Sequence, residues 1–348
     1  MSLDHAVTVS APGKLFLVGE YAVLSGAPAV LTAVDRRVRV TIEPAASWRI
    51  SAPNIGVHDF RLEADGCLPA GLDAATADKL RVFDAVREVM ADQLEQALPP
   101  HRITIDSSDF ARDGHKLGLG SSAAVAAALM QAMAIAADIP MAHARLAALA
   151  IRAHRRAQNG TGSGGDVAAS VYGGVIGYVR DQTPKLLSWP STLVGMAVVT
   201  GTGASTSDMV ARVNAYGERD PQGHASDLAR LAWLADTAQH ALGQTGRFMQ
   251  LAREYFEALV ALDHHAGAGI VTHRHQTLHA LAARYNAVFK TSGAGGGDVG
   301  LAFVRRGADE KMLRDAFTNA GAHVLPLAFA APGVCVEPPT PASPMTAR

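Results

Sequence analysis

Residues 114–126, Gly-His-Lys-Leu-Gly-Leu-Gly-Ser-Ser-Ala-Ala-Val-Ala, constrain this 348-residue chain more than any other stretch. Gly118 and Gly120 flank Leu119, Ser121 and Ser122 follow, and an alanine-rich run continues to Ala137. Such a run reads as a helix. Small residues let backbone N–H groups turn inward and approach a ligand closely. A helix that begins at the serines points its unpaired N–H groups and positive dipole end at the same place, and that combination binds phosphate. No Lys follows the last glycine, as a GxxxxGK[ST] loop requires. Ala123 stands where a dinucleotide fingerprint needs its third glycine. The segment therefore predicts a nucleotide polyphosphate held by a third solution, although by itself it reads equally well as a tight helix–strand packing turn.

Composition narrows the classes. With 31 Lys and Arg against 32 Asp and Glu, the formal charge of -1 argues against a nucleic-acid partner, which calls for a basic face. A hydrophobic fraction of 49% supports a large core, and the length suggests two domains or one large one. Cys67 and Cys335 are far apart, which fits a reducing compartment without disulfides. The 14 histidines are scattered, with no HExxH pair that predicts a zinc site. The apolar run after Lys14 is broken by Gly19, Glu20 and Tyr21, so neither a membrane span nor an export signal is read there. The expectation is a cytoplasmic protein with no membrane partner.

Patterning predicts strands at 6–10, 14–18, 29–34, 38–42, 49–51 and 58–62, a helix over 76–98, and a strand at 102–106. A helix over 142–158 ends in Arg152, His154, Arg155 and Arg156, and another begins at 167–172. Strands near 175–179 and 194–199 lead into long helices at 226–242, 246–265 and 272–289. A strand at 300–304, a helix at 310–319 and a strand at 323–327 close the pattern. The Pro-, Ser- and Thr-rich tail after Pro332 is expected to be loose. The expected domains are 1–190 and 191–338, with 339–348 as tail.

Three further small-residue segments stand out. Ala-Pro-Gly-Lys-Leu-Phe-Leu-Val-Gly-Glu-Tyr at 11–21 sets Lys14 beside a Pro-Gly turn, where it serves a phosphate or simply a surface turn. Gly-Thr-Gly-Ser-Gly-Gly-Asp at 160–166 puts Asp166 at a helix start, a position that also suits an N-cap. A third segment, Lys-Thr-Ser-Gly-Ala-Gly-Gly-Gly-Asp at 290–298, reads as a flexible hairpin connection. Yet four glycines in five positions are entropically costly there unless a ligand or a close backbone contact is served.

Together these segments resemble the GHMP kinase superfamily, with PGKxxLxGEY, GLGSSAA and KTSGAGGG in order over about residues 6–330. The resemblance implies an α+β, two-domain GHMP kinase fold: an N-terminal ribosomal protein S5 domain 2-like unit that binds ATP and a C-terminal ferredoxin-like unit. Within the superfamily, the Gly-Glu-Tyr at 19–21, the 153–170 stretch and the 200–210 segment resemble phosphomevalonate kinases more than mevalonate kinases. In mevalonate kinases a magnesium-binding Glu stands at the position of Arg155. The implied reaction is ATP-dependent phosphoryl transfer to the 5-phosphate of mevalonate, with ATP and Mg2+ as cofactors, in a monomer or homodimer. The alternatives are a hydroxyl acceptor (mevalonate or a sugar) and a non-catalytic ligand-binding homologue. Diphosphomevalonate decarboxylase shares the fold but lacks the PGKxxLxGE segment.

The resemblance also assigns roles. Lys14 and Asp166 are the expected catalytic residues. Lys116, Gly118, Leu119, Gly120, Ser121, Ser122 and Ala123 are expected to hold the nucleotide, with the Ser122 hydroxyl on the metal. Glu20, Tyr21, His154, Ser163, Gly164, Ser205, Thr206, Ser292, Gly293, Ala294 and Gly295 are expected on the acceptor side. A phosphate acceptor is mostly a dianion near neutral pH, and two anions repel strongly in a dry site. Arg155, His154 and Lys290 are therefore expected to join Lys14 and Lys116 as cations and donors facing the substrates.

Overall fold

The structure is a computed structural model that describes residues 5–339 except 113, 202–204 and 298, with only the backbone described at His115 and Ala308. The first half opens with strands β1 (Val7–Val18), β2 (Ala29–Pro44), β3 (Arg49–Ala52) and β4 (Val57–Arg61), then helix α1 (Ala74–Ala91) and strand β5 (His101–Asp106). A small hairpin, β6 (Ala111–Arg112) and β7 (His115–Lys116), precedes helices α2 (Ser121–Ala136), α3 (His143–Ala157) and α4 (Gly165–Tyr172). Strands β8 (Val175–Tyr178) and β9 (Lys185–Leu187) follow.

The second half runs β10 (Leu193–Val199), α5 (Thr206–Arg219), α6 (Pro221–Ala241), α7 (Thr245–Ala266), α8 (His273–Ala283), β11 (Val288–Thr291), β12 (Val299–Arg305), α9 (Ala308–Asn319), β13 (His323–Leu325) and β14 (Cys335–Val336).

Two sheets organise the molecule. The first runs β14-β1-β2-β5-β3-β4, with β8 and β9 continuing from the other part of the long strand β2. The second runs β11-β12-β10-β13 and is antiparallel throughout. Its βαββαβ chain order and strand order make it ferredoxin-like, so the architecture is α+β. Helix α2 is central: Ala123, Ala124, Ala126, Ala127 and Ala128 are fully buried, and the helix packs on β1, β2, α1, α3 and α4. A helix apolar on all sides must be enclosed. Methyl side chains let sheet and helices approach it from every direction. Among the described residues no helix is long and apolar enough to cross a membrane.

Several sequence expectations change. The strands expected at 6–10 and 14–18 are one strand, as are those at 29–34 and 38–42. A bulge absorbs the break, because Pro12 pairs with Arg37 but Gly13 with Val34, leaving Asp35 and Arg36 extra. Helix α1 stops at Ala91, where Gln93 and Leu94 close tight turns onto Met90 and Ala91. Helix α5 is an addition to the sequence expectations; the Ser205 hydroxyl caps it by accepting from the Asp208 N–H at 3.3 Å. The helix expected over 272–289 ends at Ala283. Asn286 turns the chain at φ 52, and Val288–Thr291 form a buried strand against β12. The tail is ordered as far as it is described. Val336 and Cys335 pair with Val9 and Ser10, and Arg37 donates to the carbonyls of Pro332 and Gly333. The chain end thus returns to the first sheet, while residues 340–348 lie outside the described residues.

Candidate active site

The segments 11–21, 114–126 and 290–298 meet at one cavity of about 590 Å³ between the two halves. The first two segments are joined at the backbone: the Lys14 N–H donates to the Leu119 carbonyl at 2.8 Å. Gly118 and Gly120 adopt left-handed φ of 66 and 79. Among the described residues the first-turn N–H groups of α2 have no side-chain cap. Gly120 is required twice, because a Cβ there would also stand 2.8 Å from Lys14 Cε. The turn and the lysine stem share one space.

Asp166 lies in the first turn of α4, two positions beyond the capping Gly164, and its carboxylate accepts from the Val167 N–H at 2.9 Å. The loop ahead of it is fixed from below. Tyr178 donates to the Ser163 carbonyl at 2.7 Å, and burial pushes that phenol up to about 12.

The third segment is joined to the first. The Ser292 hydroxyl donates to the Phe16 carbonyl and accepts from the Phe16 N–H, both at 3.0 Å. Tyr21, held at a left-handed φ of 64, donates to the Ala294 carbonyl at 2.5 Å. Glu20 and Lys290 form a buried ion pair at 2.5 Å. Burial pushes the Glu20 carboxyl up and the Lys290 ammonium down, each against the pull of the other's charge.

Of the expected site residues, Lys14, Glu20, Tyr21, Lys116, Gly118, Leu119, Gly120, Ser121, Ser122, Ser163, Asp166, Thr206, Gly293 and Ala294 line the cavity. The others face elsewhere. Ala123 is fully buried in the core, and Gly164 packs under Ile151 and Tyr178. Ser205 is spent on capping α5, and Ser292 on Phe16. Gly295 is pressed against Ile270, whose carbonyl oxygen a Cβ would meet at 2.3 Å. His154 is buried behind Ser122, with Nε2 3.0 Å from its hydroxyl.

The expected supply of acceptor-side cations is corrected in the same way. Arg155 donates to the carbonyls of Gly162 and Ser163 and to Asp181, so it fastens the Asp166 loop. Lys290 belongs to Glu20. Among the described residues the cations on the wall are Lys14, Lys116 and Arg81. Arg81 comes from α1, and Phe110 from the turn just before β6. Gln158, Val23, Leu24 and Val210 also line the cavity and carried no sequence signal. Thr202, Gly203, Ala204 and Asp298, which belong to the motifs above, lie outside the described residues.

Among the described residues no cluster of three or more His, Cys, Asp or Glu is present. Mg2+ does not need one, since it keeps several waters and takes one or two protein oxygens besides phosphate. The Ser122 hydroxyl and the Asp166 carboxylate, both on the wall, are a hard-oxygen set of that kind.

The floor under the third segment carries a pH-dependent element. The Asp263 carboxylate accepts from the N–H groups of Gly269, Ile270 and Val271. The neighbouring His275 is fully buried. Its Nδ1 accepts from the Thr272 N–H, so Nε2 carries the proton and donates to Thr200 at 3.0 Å. Burial lowers its pKa to about 4 from 6.5. The unfolded chain then takes up this proton before the folded one does. The contribution is complete above pH 6.5 and declines as pH falls towards 4, by about 3 kcal/mol. In urea titrations, wild type should lose that much relative to His275→Asn over this window. An equal pH response in the two proteins would show that His275 does not titrate this way.

The chain is similar to several known proteins. A model of the GHMP kinases N terminal domain matches residues 81–174. The phosphomevalonate kinase of Streptomyces sp. (strain CL190) is 30% identical over 375 residues, covering 95% of this chain and 99% of that one. The mevalonate kinase of Aeropyrum pernix is 28% identical, covering 89% of this chain and 92% of that one. The structure of Streptococcus pneumoniae phosphomevalonate kinase in complex with phosphomevalonate and AMPPNP superposes with a TM-score of 0.77 at 22% identity, over 92% of this chain and 99% of that one. With a 30% identical relative aligned along nearly the whole of both chains and the three segments gathered at one cavity, this chain belongs to the GHMP kinase family.

Proposed function

We propose that the protein is a kinase of the mevalonate pathway that transfers a phosphoryl group from ATP to the 5-phosphate of mevalonate, giving 5-diphosphomevalonate and ADP. The observation that carries the reading is the convergence of Lys14, Lys116, the 118–122 turn and Asp166 on a single cavity. The full-length similarity to a phosphomevalonate kinase supports the choice of acceptor. So does the residue type at position 155, where mevalonate kinases carry a magnesium-binding Glu and this chain carries an Arg that fastens the Asp166 loop.

In this reading the 118–122 amides and the α2 dipole cradle the ATP phosphates. Lys116 neutralises charge at their distal end, and Lys14 stands between donor and acceptor. Ser122 and Asp166 are the residues that would hold Mg2+, which would offset the charge of the phosphate oxygens. A phosphate acceptor is already ionised, so Asp166 acts mainly by orienting the acceptor, with proton removal a lesser task. Phosphoryl transfer depends on such alignment and charge neutralisation more than on covalent help.

A coupled ADP-release assay over phosphomevalonate, mevalonate and a sugar panel tests the assignment. Turnover with phosphomevalonate is expected. Turnover with mevalonate and none with phosphomevalonate would shift the assignment to the hydroxyl acceptor that many relatives' names indicate. Asp166→Asn should lower kcat by roughly 10²-fold through lost orientation of the acceptor, with little change in ATP affinity. Undiminished turnover in that variant removes Asp166 from the mechanism.

A further inference from the structure

We propose that His154 is a positioning residue that turns the Ser122 hydroxyl towards the cavity by taking its proton at Nε2. The proposal rests on the reading of Ser122 as a metal ligand and extends it to a side chain that does not line the cavity.

His154 is 2% exposed and sits in the last turn of α3, directly behind the start of α2. Two groups address its Nε2: the Ser122 Oγ at 3.0 Å and the Gln158 side-chain nitrogen, one turn further along α3, at 3.3 Å. An amide NH₂ only donates. With the Gln158 amide assigned this way round, Nε2 is bare and the ring proton is on Nδ1. The Ser122 hydroxyl is then also a donor to Nε2.

The consequence falls on the other side of that oxygen. Its proton is committed to the protein interior, so its lone pairs face the cavity that Ser122 lines. A freely rotating hydroxyl would turn its proton towards an incoming cation part of the time. A hydroxyl accepting from His154 would have given up a lone pair. The bond to His154 removes both arrangements, and a hard divalent cation takes oxygen lone pairs. The next residue, Arg155, fastens the loop before Asp166 through the carbonyls of Gly162 and Ser163. The end of α3 thus orients both oxygen groups assigned to the metal, one through each of two adjacent side chains.

The test compares two amides that differ only in reach. In His154→Gln the amide oxygen reaches the place of Nε2, whereas in His154→Asn it stops near the place of Nδ1, short of Ser122. Mn2+ binding to the protein saturated with a non-hydrolysable ATP analogue, followed by electron paramagnetic resonance, reads the metal site without turnover. His154→Asn and Ser122→Ala should each weaken Mn2+ binding by about tenfold or more, as loss of an outer partner of a metal ligand does. Their double variant should be no worse than either alone, and His154→Gln should recover most of the loss. Melting temperatures are expected to match wild type.

Wild-type affinity in His154→Asn beside a loss in Ser122→Ala overturns the positioning role. Wild-type affinity in both overturns the metal reading of Ser122 and this proposal with it. Neither result touches the acceptor assay, which tests the function separately. Nitrogen-15 NMR of histidine-labelled wild type needs no variant: a His154 proton on Nδ1 is expected, and one on Nε2 sinks the proposal.

Discussion

Lys14→Met should lower kcat with the acceptor by about 10²–10³-fold, the usual consequence of removing one fixed electrostatic donor from a transition state. The size of the effect follows from how tightly the side chain is placed. Lys14 is 9% exposed, its own N–H is bonded to the Leu119 carbonyl, and its stem occupies the space that the missing Cβ of Gly120 leaves open. An ammonium fixed in this way requires no reorganisation when charge develops beside it. Methionine keeps the length and the packing of the stem, so the melting temperature should change little while the charge is lost. Steady-state kinetics separate the two assignments of this lysine. Between donor and acceptor, its loss appears in kcat. A change confined to the KM for ATP would place it on the nucleotide instead.

Lys290→Met should destabilise the fold by about 3–5 kcal/mol, the range for breaking one side of a buried ion pair. Both partners are enclosed, with side-chain exposures of 0% for Lys290 and 2% for Glu20. Lys290 Nζ also donates to the Thr291 carbonyl and lies 5.7 Å from the Tyr255 ring centre. Removing it leaves a carboxylate whose Oε2 already lacks a partner among the described residues.

The sign of the pH dependence follows. Burial raises the Glu20 pKa, and loss of the opposing ammonium raises it further. A carboxyl with a raised folded pKa is tolerated while neutral and destabilises as pH rises through that pKa. The variant should therefore recover stability on acidification, relative to wild type, and Glu20→Gln/Lys290→Met should be more stable than Lys290→Met alone. Urea midpoints at two pH values decide this. A single variant as stable as wild type at pH 7 would mean that the pair contributes nothing there.

The elements that were legible from the sequence are those specified by near neighbours. The start of α2 is written in Gly118, Gly120 and the serines, and the α4 turn in Gly164 and Asp166. Both depend on local φ values and on unpaired N–H groups. The bulge at Pro12 and the strand Val288–Thr291 were not legible, because each is decided by a partner strand. Helical periodicity carried the reading past Ala283, and nothing within 284–289 revealed that β12 would bury that segment.

The same division runs through the site. Short stretches of chain sufficed to mark the glycine-rich turns, a lysine and an aspartate that line the cavity, since backbone permissiveness and helix ends are properties of consecutive residues. Which cations remain to meet a ligand was settled by contacts across the fold. Lys290 is taken by Glu20, 270 positions away, and Arg155 by loop carbonyls and Asp181. A charge leaving water needs a partner wherever the chain happens to bring one. That choice is made by packing between distant segments.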